Sequence, residues 1–248
     1  MDGTVRAWVV DQGNTRLKLG VFVGEELTQV LHDEAALDWM TEPAESPEHV
    51  LVAASGVLDE AVEAVLNSYP TRHLQDRHEC GLNLDYETPE TLGWDRIANA
   101  AAVAALHPDS VAVIVDAGTC ITVDLVADAT FYGGSIAPGI DLRFRAMYAG
   151  TANLPLVDDW RDRLSAPTST LPEHIGTDTI GSLVAGAWGG AQAEIQGRIA
   201  EFRKRWPDLQ EFWTGGDAEY LHERDSGLIF ADSNLTLKGY HAILKRLI

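Results

Sequence analysis

The sequence predicts an α/β protein made of two similar halves, and three observations carry that prediction. A short apolar strand, an Asp-x-Gly turn and an alternating strand occur together twice, around residue 11 and again around residue 116. Strand patterns alternate with helical ones after each copy, as layered α/β architecture requires. The 248 residues are enough for one to two domains, so each copy can head a small domain of its own. This reading divides the chain into 1–114 and 115–248, with the last helix free to pack back on the first half.

In order along the chain, Ala7-Trp8-Val9-Val10 is the first strand, Asp11-Gln12-Gly13-Asn14-Thr15 a tight polar turn, and Leu17 to Val23 a half-buried strand with apolar residues at alternate positions. Residues 25–48 carry eight carboxylates and no Lys or Arg, which reads as solvated surface. Asp59 to Tyr69 has Ala61, Val62, Val65 and Leu66 at helical spacing. Asp95 to His107 is an alanine-rich helix stopped by Pro108. The echo follows: Val111 to Val115, the turn Asp116-Ala117-Gly118-Thr119, and alternation from Ile121 to Val126. Thr179 to Arg205 reads as one long helix that Gly186, Gly189 and Gly190 either weaken or pack closely. Glu211 to Thr214 is a strand ending at Gly215-Gly216-Asp217. Leu235 to Leu237 is expected to be a last strand before a short basic helix through His241 to Ile248.

Charge removes several function classes. A net charge of −20 at pH 7 repels a phosphate backbone or an anionic membrane, so neither nucleic acid nor membrane is an expected partner. No apolar run approaches the roughly 18 residues of a membrane span, and Met1 to Arg6 does not read as a signal peptide. Cys80 and Cys120 form no CxxC pair, which suggests neither zinc nor a disulfide. Cys120 reads as a small core residue rather than a nucleophile. The expectation is a reduced cytoplasmic protein.

The chemistry concentrates in four places. A carboxylate ending a strand, such as Asp11 or Asp116, can hold hydrated Mg²⁺, which takes one or two carboxylates plus substrate phosphates. The glycines that follow, Gly13 and Gly118, let backbone amides approach phosphate oxygens, and Asn14, Thr15 and Thr119 add donors. Either turn alone could be just a hairpin. No GxxxxGK[ST], GxGxxG or HExxH occurs, so any phosphate handling uses the two hairpins rather than a P-loop. Thr214-Gly215-Gly216-Asp217 leaves room for a flat ligand or phosphate before a helix, though a plain turn looks the same. Finally, Asp95 and Arg96 sit where a loop meets the alanine-rich helix. Asp95 can be simply the N-cap. Alternatively it accepts a hydroxyl proton while Arg96 forks onto a substrate carboxylate beside aromatic residues.

Taken together, Asp11-Gln12-Gly13-Asn14-Thr15 through Gly20, Leu92-Gly93-Trp94-Asp95-Arg96, Asp116 to Thr119, Gly133 to Gly139 and Thr214 to Asp217 occur in an order that closely resembles the type III pantothenate kinases of bacterial coenzyme A biosynthesis. Arg145-Ala146-Met147, Thr151 to Pro155, and Gly176 to Thr179 resemble further segments of that family, so the likeness runs from about residue 7 to the end. The resemblance implies two similar actin-like, ribonuclease H-like α/β domains with ATP in a cleft between them. It implies ATP with Mg²⁺ as phosphoryl donor, and pantothenate as acceptor. It also implies a monovalent cation, potassium or ammonium, and a homodimer whose pantothenate pocket forms partly across the interface.

Carried over residue by residue, the first phosphate motif falls on Asp11, Gln12, Gly13, Asn14, Thr15, Arg16, Leu17 and Lys18, with Asp11 serving Mg²⁺. The second falls on Asp116 to Thr119, Gly118 and Thr119 facing ATP and Asp116 holding the monovalent cation. The adenosine motif falls on Gly215 and Gly216. The signature Gly93-Trp94-Asp95-Arg96 supplies Asp95 as catalytic base and Arg96 as carboxylate partner, with Tyr86 and Thr179 as further substrate contacts. Thr177-Asp178 departs from the Lys-Asn of many members, which bears on local helix capping. Two other readings remain open on the hairpins alone: another phosphotransferase or phosphatase of the same superfamily, and a non-catalytic accessory transcription factor of a related branch.

Overall fold

A computed structural model describes residues 5–13, 16–54, 57–165, 175–222 and 229–248. The chain divides into two compact units. One comprises Met1–Pro108, Ala129–Phe131 and Asn234–Ile248, the other Asp109–Asp128 and Tyr132–Ser233.

The first unit begins with β1 (Arg6–Gln12), β2 (Leu17–Val23) and β3 (Glu26–His32), followed by α1 (Asp33–Thr41), β4 (His49–Ala54), α2 (Glu60–Leu66) and β5 (Thr71–His73). The five strands form one sheet in the order β3-β2-β1-β4-β5. β1 runs antiparallel to β2 and parallel to β4. Because side chains alternate along a strand, Trp8 and Val10 of β1 point to one face. There they meet Leu19, Val50 and Val52 under Ala36 and Met40 of α1 and Val62 and Leu66 of α2. Residues 25–48 are thus not merely solvated surface. Their carboxylates lie outward, while Ala36 and Met40, four residues apart on α1, are completely buried.

Next come β6 (Asn83–Leu84), which pairs with Thr130–Phe131, and α3 (Trp94–Leu106). Nine of the thirteen residues of α3 are buried, most of them small or aliphatic. Small side chains let another helix approach closely, and that partner is the end of the chain, in contact with α3, β1 and β4.

The second unit opens with β7 (Ala112–Ala117), β8 (Cys120–Ala127), β9 (Thr130–Pro138) and α4 (Ile140–Gly150). It continues through α5 (Trp160–Ser165), α6 (Thr179–Val184), α7 (Gly190–Arg205), β10 (Gln210–Thr214), α8 (Ala218–Leu221) and β11 (Ile229–Ala231). The strands follow the order β11-β10-β7-β8-β9, and the Thr130–Phe131 end of β9, counted with the first unit, pairs with β6. As β1 does in the first sheet, β7 pairs antiparallel with the next strand and parallel with a later one, β10. Val113, Val115, Ile121, Val123 and Leu125 pack beneath Phe144, Trp188, Ile195 and Ile199. The segment from Thr179 to Arg205 is helical throughout, with a π-helical turn at Ala185–Gly189. Gly186 and Gly190 face open space rather than a tight contact. Asp178 caps α6 by accepting a hydrogen bond from the Gly181 N–H at 2.7 Å, so the departure at Thr177-Asp178 still makes a sound cap.

Two further local expectations fail. Leu235 to Leu237 is no strand but the start of α9 (Leu235–Leu247). Leu237, Tyr240, His241 and Leu244 are all buried, a spacing of three and four that makes one face of a helix. Cys120 is exposed rather than a core residue, because it opens β8 at the hairpin turn, beyond the packed part of the sheet.

Candidate active site

In the first unit, Asp11 is the penultimate residue of β1, half-buried, and lies opposite Lys18 across the β1–β2 pair. The Gly13 N–H closes the turn on the Arg16 carbonyl at 3.0 Å. The Gln12 side-chain oxygen accepts from the Asp59 N–H at 3.1 Å, which ties the turn to the residue that caps α2. The Leu17 N–H donates to Asp33 at 3.0 Å, and Arg16 is exposed. Asn14 and Thr15 lie outside the described residues.

A second group in this unit surrounds Gly93 to Arg96. Gly93 is the N-cap of α3, so Asp95 is not. It is the second residue of the helix, exposed, with Oδ1 accepting from the Arg96 N–H at 2.9 Å. Arg96 is 5% exposed. Its guanidinium carbon lies 5.8 Å from the Tyr86 ring centre and 5.4 Å from that of Phe131, at cation–π range. Trp94 is buried under the Arg77 guanidinium at 4.6 Å, and Arg77 also donates to the Leu92 carbonyl at 3.3 Å. Phe131 and Arg77 are the members that sequence reasoning missed. Neither lies in a motif, and only pairing and packing bring them to the signature.

The second unit holds the other hairpin. Asp116 is penultimate in β7 and pairs with Thr122 on one side and Thr214 on the other. Asp11 occupies the matching place in β1, so both carboxylates end a strand at the carboxyl edge of a parallel pair, where α/β sheets receive ligands. The turn after Asp116 is held from two directions. The Gly139 N–H donates to the Thr119 carbonyl at 3.0 Å, and the Asp217 N–H donates to the Ala117 carbonyl at 2.9 Å. Gly215 makes that approach possible. Its φ is +92°, and a Cβ there would stand 2.4 Å from the Ala117 oxygen. Gly216 beside it faces open space. Gly118 is half-buried and Thr119 exposed. Asp217 is buried and bonded to Arg161. Burial pushes its carboxyl above the ordinary value, with Arg161 opposing that shift.

Thr179 lines a cavity of about 480 Å³ with Leu154, Thr177, Asp178 and Ser182. The structure therefore gathers Tyr86, Trp94 and Arg96 into one group and Gly118, Thr119, Gly215 and Gly216 into another. Among the described residues no three His, Cys, Asp or Glu side chains form a metal cage. Single carboxylates at strand ends suit Mg²⁺, which is held mainly by phosphates and water.

Comparison with known proteins follows the same lines. The family model for type III pantothenate kinase matches residues 8–201. A type III pantothenate kinase of Christiangramia forsetii is 33% identical over 244 residues, covering 96% of this chain and 97% of its own. Among solved structures, a conserved Campylobacter jejuni protein assigned to the Baf family of transcriptional activators superposes with a TM-score of 0.62 at 20% identity, covering 97% of this chain and 98% of its own. Component A of the Acidaminococcus fermentans (R)-2-hydroxyglutaryl-CoA dehydratase gives 0.55 at 14%, covering 99% and 100%. At such identities these structures speak to fold alone, and the fold they share is the actin-like one. With that fold, both Asp-x-Gly hairpins and the Gly93–Arg96 signature in place, the chain belongs to the type III pantothenate kinase family.

Proposed function

We propose that this protein transfers the γ-phosphoryl group of ATP to pantothenate, forming 4'-phosphopantothenate for coenzyme A synthesis. The observation that carries the proposal is the Gly93–Arg96 group: a buried guanidinium flanked by Tyr86 and Phe131, beside an exposed carboxylate at the start of a rigid helix. Arg96 takes the pantothenate carboxylate, for which a forked donor is well suited. Asp95 orients the acceptor hydroxyl and receives its proton as the new P–O bond forms and ADP departs. In a loose phosphoryl-transfer transition state, this positioning together with charge neutralisation is most of the catalysis.

In the first unit Asp11, the Gly13 amide and Lys18 are assigned to phosphate; in the second the Gly118 amide and Thr119 are assigned to phosphate, and Gly215 and Gly216 to the adenosine. Mg²⁺ bound at Asp11 supplies neutralisation of phosphate charge. Asp116 is assigned a potassium or ammonium ion, and Thr179 a further substrate contact. We assign a homodimer as the working form. Tyr132, Ile136, Leu142 and Tyr148 on β9 and α4 are large, exposed apolar side chains that a second copy can cover.

The test is an ADP-release assay with and without pantothenate, in potassium and in sodium at fixed MgATP. ADP release that needs both pantothenate and potassium or ammonium is expected. ATP turnover indifferent to pantothenate overturns the substrate, and full activity in sodium alone overturns the assignment of Asp116.

A further inference from the structure

α5 enters none of the motifs, yet its second residue bridges two of the segments that hold the Asp116–Thr119 turn. Arg161 Nη2 lies 3.1 Å from Asp141 Oδ2 and 2.6 Å from Asp217 Oδ1. Its Nε is 3.1 Å from the same Asp217 oxygen, and its Nη1 is 3.3 Å from Asp141 Oδ1. Asp141 lies in the first turn of α4, just after Gly139, which bonds to Thr119. Asp217 closes the Thr214–Asp217 turn, which bonds to Ala117. The guanidinium also rests 4.2 Å over the Trp160 ring, and the Trp160 indole N–H donates to Asp141 at 2.6 Å.

We infer that Arg161 is a positioning residue for the nucleotide, clamping Asp141 and Asp217 together so that the turns flanking Ala117 to Thr119 stay closed on the site that receives ATP. The inference rests on the reading above that these turns take the nucleotide.

Two physical points favour it over a plain surface ion pair. Trp160, with no exposed surface, anchors α5 in the core. The Arg161 side chain is itself 36% exposed and that of Asp141 43%, and an ion pair so exposed adds little to stability. Its partners matter more. Asp217 is only 7% exposed, and without a cation it and Asp141 would leave two carboxylates beside a site for a polyanion. A guanidinium can fork across both partners in a plane, which an ammonium cannot.

The experiment measures calorimetric binding of the magnesium complex of a non-hydrolysable ATP analogue, alongside KM for ATP and for pantothenate, in Arg161→Lys and Arg161→Met. Loss of the fork is expected to weaken nucleotide binding about tenfold or more in both variants, with KM for pantothenate kept within about twofold. Adding Asp141→Asn to Arg161→Met should recover part of the nucleotide affinity, because one uncompensated carboxylate is gone. Unchanged nucleotide affinity, or equal losses for both substrates with a lowered Tm, overturns the inference. Arg161→Lys retains the charge and decides the matter should the methionine variant fail to fold. A wild-type protein that binds the analogue but does not phosphorylate pantothenate overturns the proposed function, while the binding constants still judge Arg161.

Discussion

At the scale of single residues, the decisive position is Asp95. Because Gly93 caps α3, the carboxylate is not needed to start the helix, and it accepts instead from the adjacent Arg96 amide. Asp95→Asn is therefore expected to leave the thermal midpoint near wild type while lowering kcat by about 10²-fold or more, as loss of a general base does. Near-normal turnover would remove Asp95 from the chemistry. His241 offers a second test, of stability. It is buried and stacked on Phe22 at 4.0 Å with an interplanar angle of 5°. Burial pushes its pKa down, Glu25 opposes that and Lys245 adds to it. Where the folded value lies below the unfolded one, near about 6.5, the unfolded chain gains a proton that the folded chain refuses. Stability is then constant above that pH and falls as pH drops below it. His241→Phe keeps the stack and should flatten the decline in urea midpoint between pH 7 and pH 5. His32, also pushed down by burial, retains a share of the slope. An unchanged slope would show that His241 is not the group responsible. The chemistry of these residue types was readable in the sequence, and their surroundings were not. Cys120 is exposed and Ile121 buried because the hairpin ends between them, and Phe131 reaches Arg96 only through packing.

At the scale of elements, the pairing of α3 with α9 shows what a sequence window misses. Leu235-Thr236-Leu237 alternates as a strand does, but three residues cannot separate a period of two from one of 3.6. The long-range contacts settle it. The Thr236 hydroxyl donates to Asn99 of α3 at 2.8 Å. A Cβ on Gly239 would stand 1.8 Å from the Ala98 carbonyl oxygen. Ordinarily a helical Gly→Ala change stabilises by up to about 1 kcal/mol. Here the overlap with backbone cannot be relieved by a rotamer, and overpacking of about 1–3 kcal/mol wins. Gly239→Ala should therefore lower the urea midpoint, and a rise would disprove the close approach.

At the scale of the whole molecule, a net charge of −20 makes the folded chain repel itself, and salt shortens the reach of that repulsion from about 10 Å at 0.1 M to about 3 Å at 1 M. The thermal midpoint should rise from low salt to molar sodium chloride, which screens charge without supplying the potassium assigned to Asp116. A fall across that range would mean that ion pairs such as Arg143–Glu194 and Arg161–Asp217 outweigh the repulsion. The sequence by itself determined the layered α/β class, the repeated strand–turn–strand units and the residue types of the turns. Those features are local, since a hairpin is specified by side-chain alternation and by the residues its turn will tolerate, all within about twenty positions. Only the tertiary structure decided that residues 235–247 are one helix, that Gly93 rather than Asp95 caps α3, and that Arg161 joins Asp141 to Asp217 across separations of 20 and 56 residues. Such contacts depend on which faces are buried against each other, and burial belongs to the folded chain as a whole.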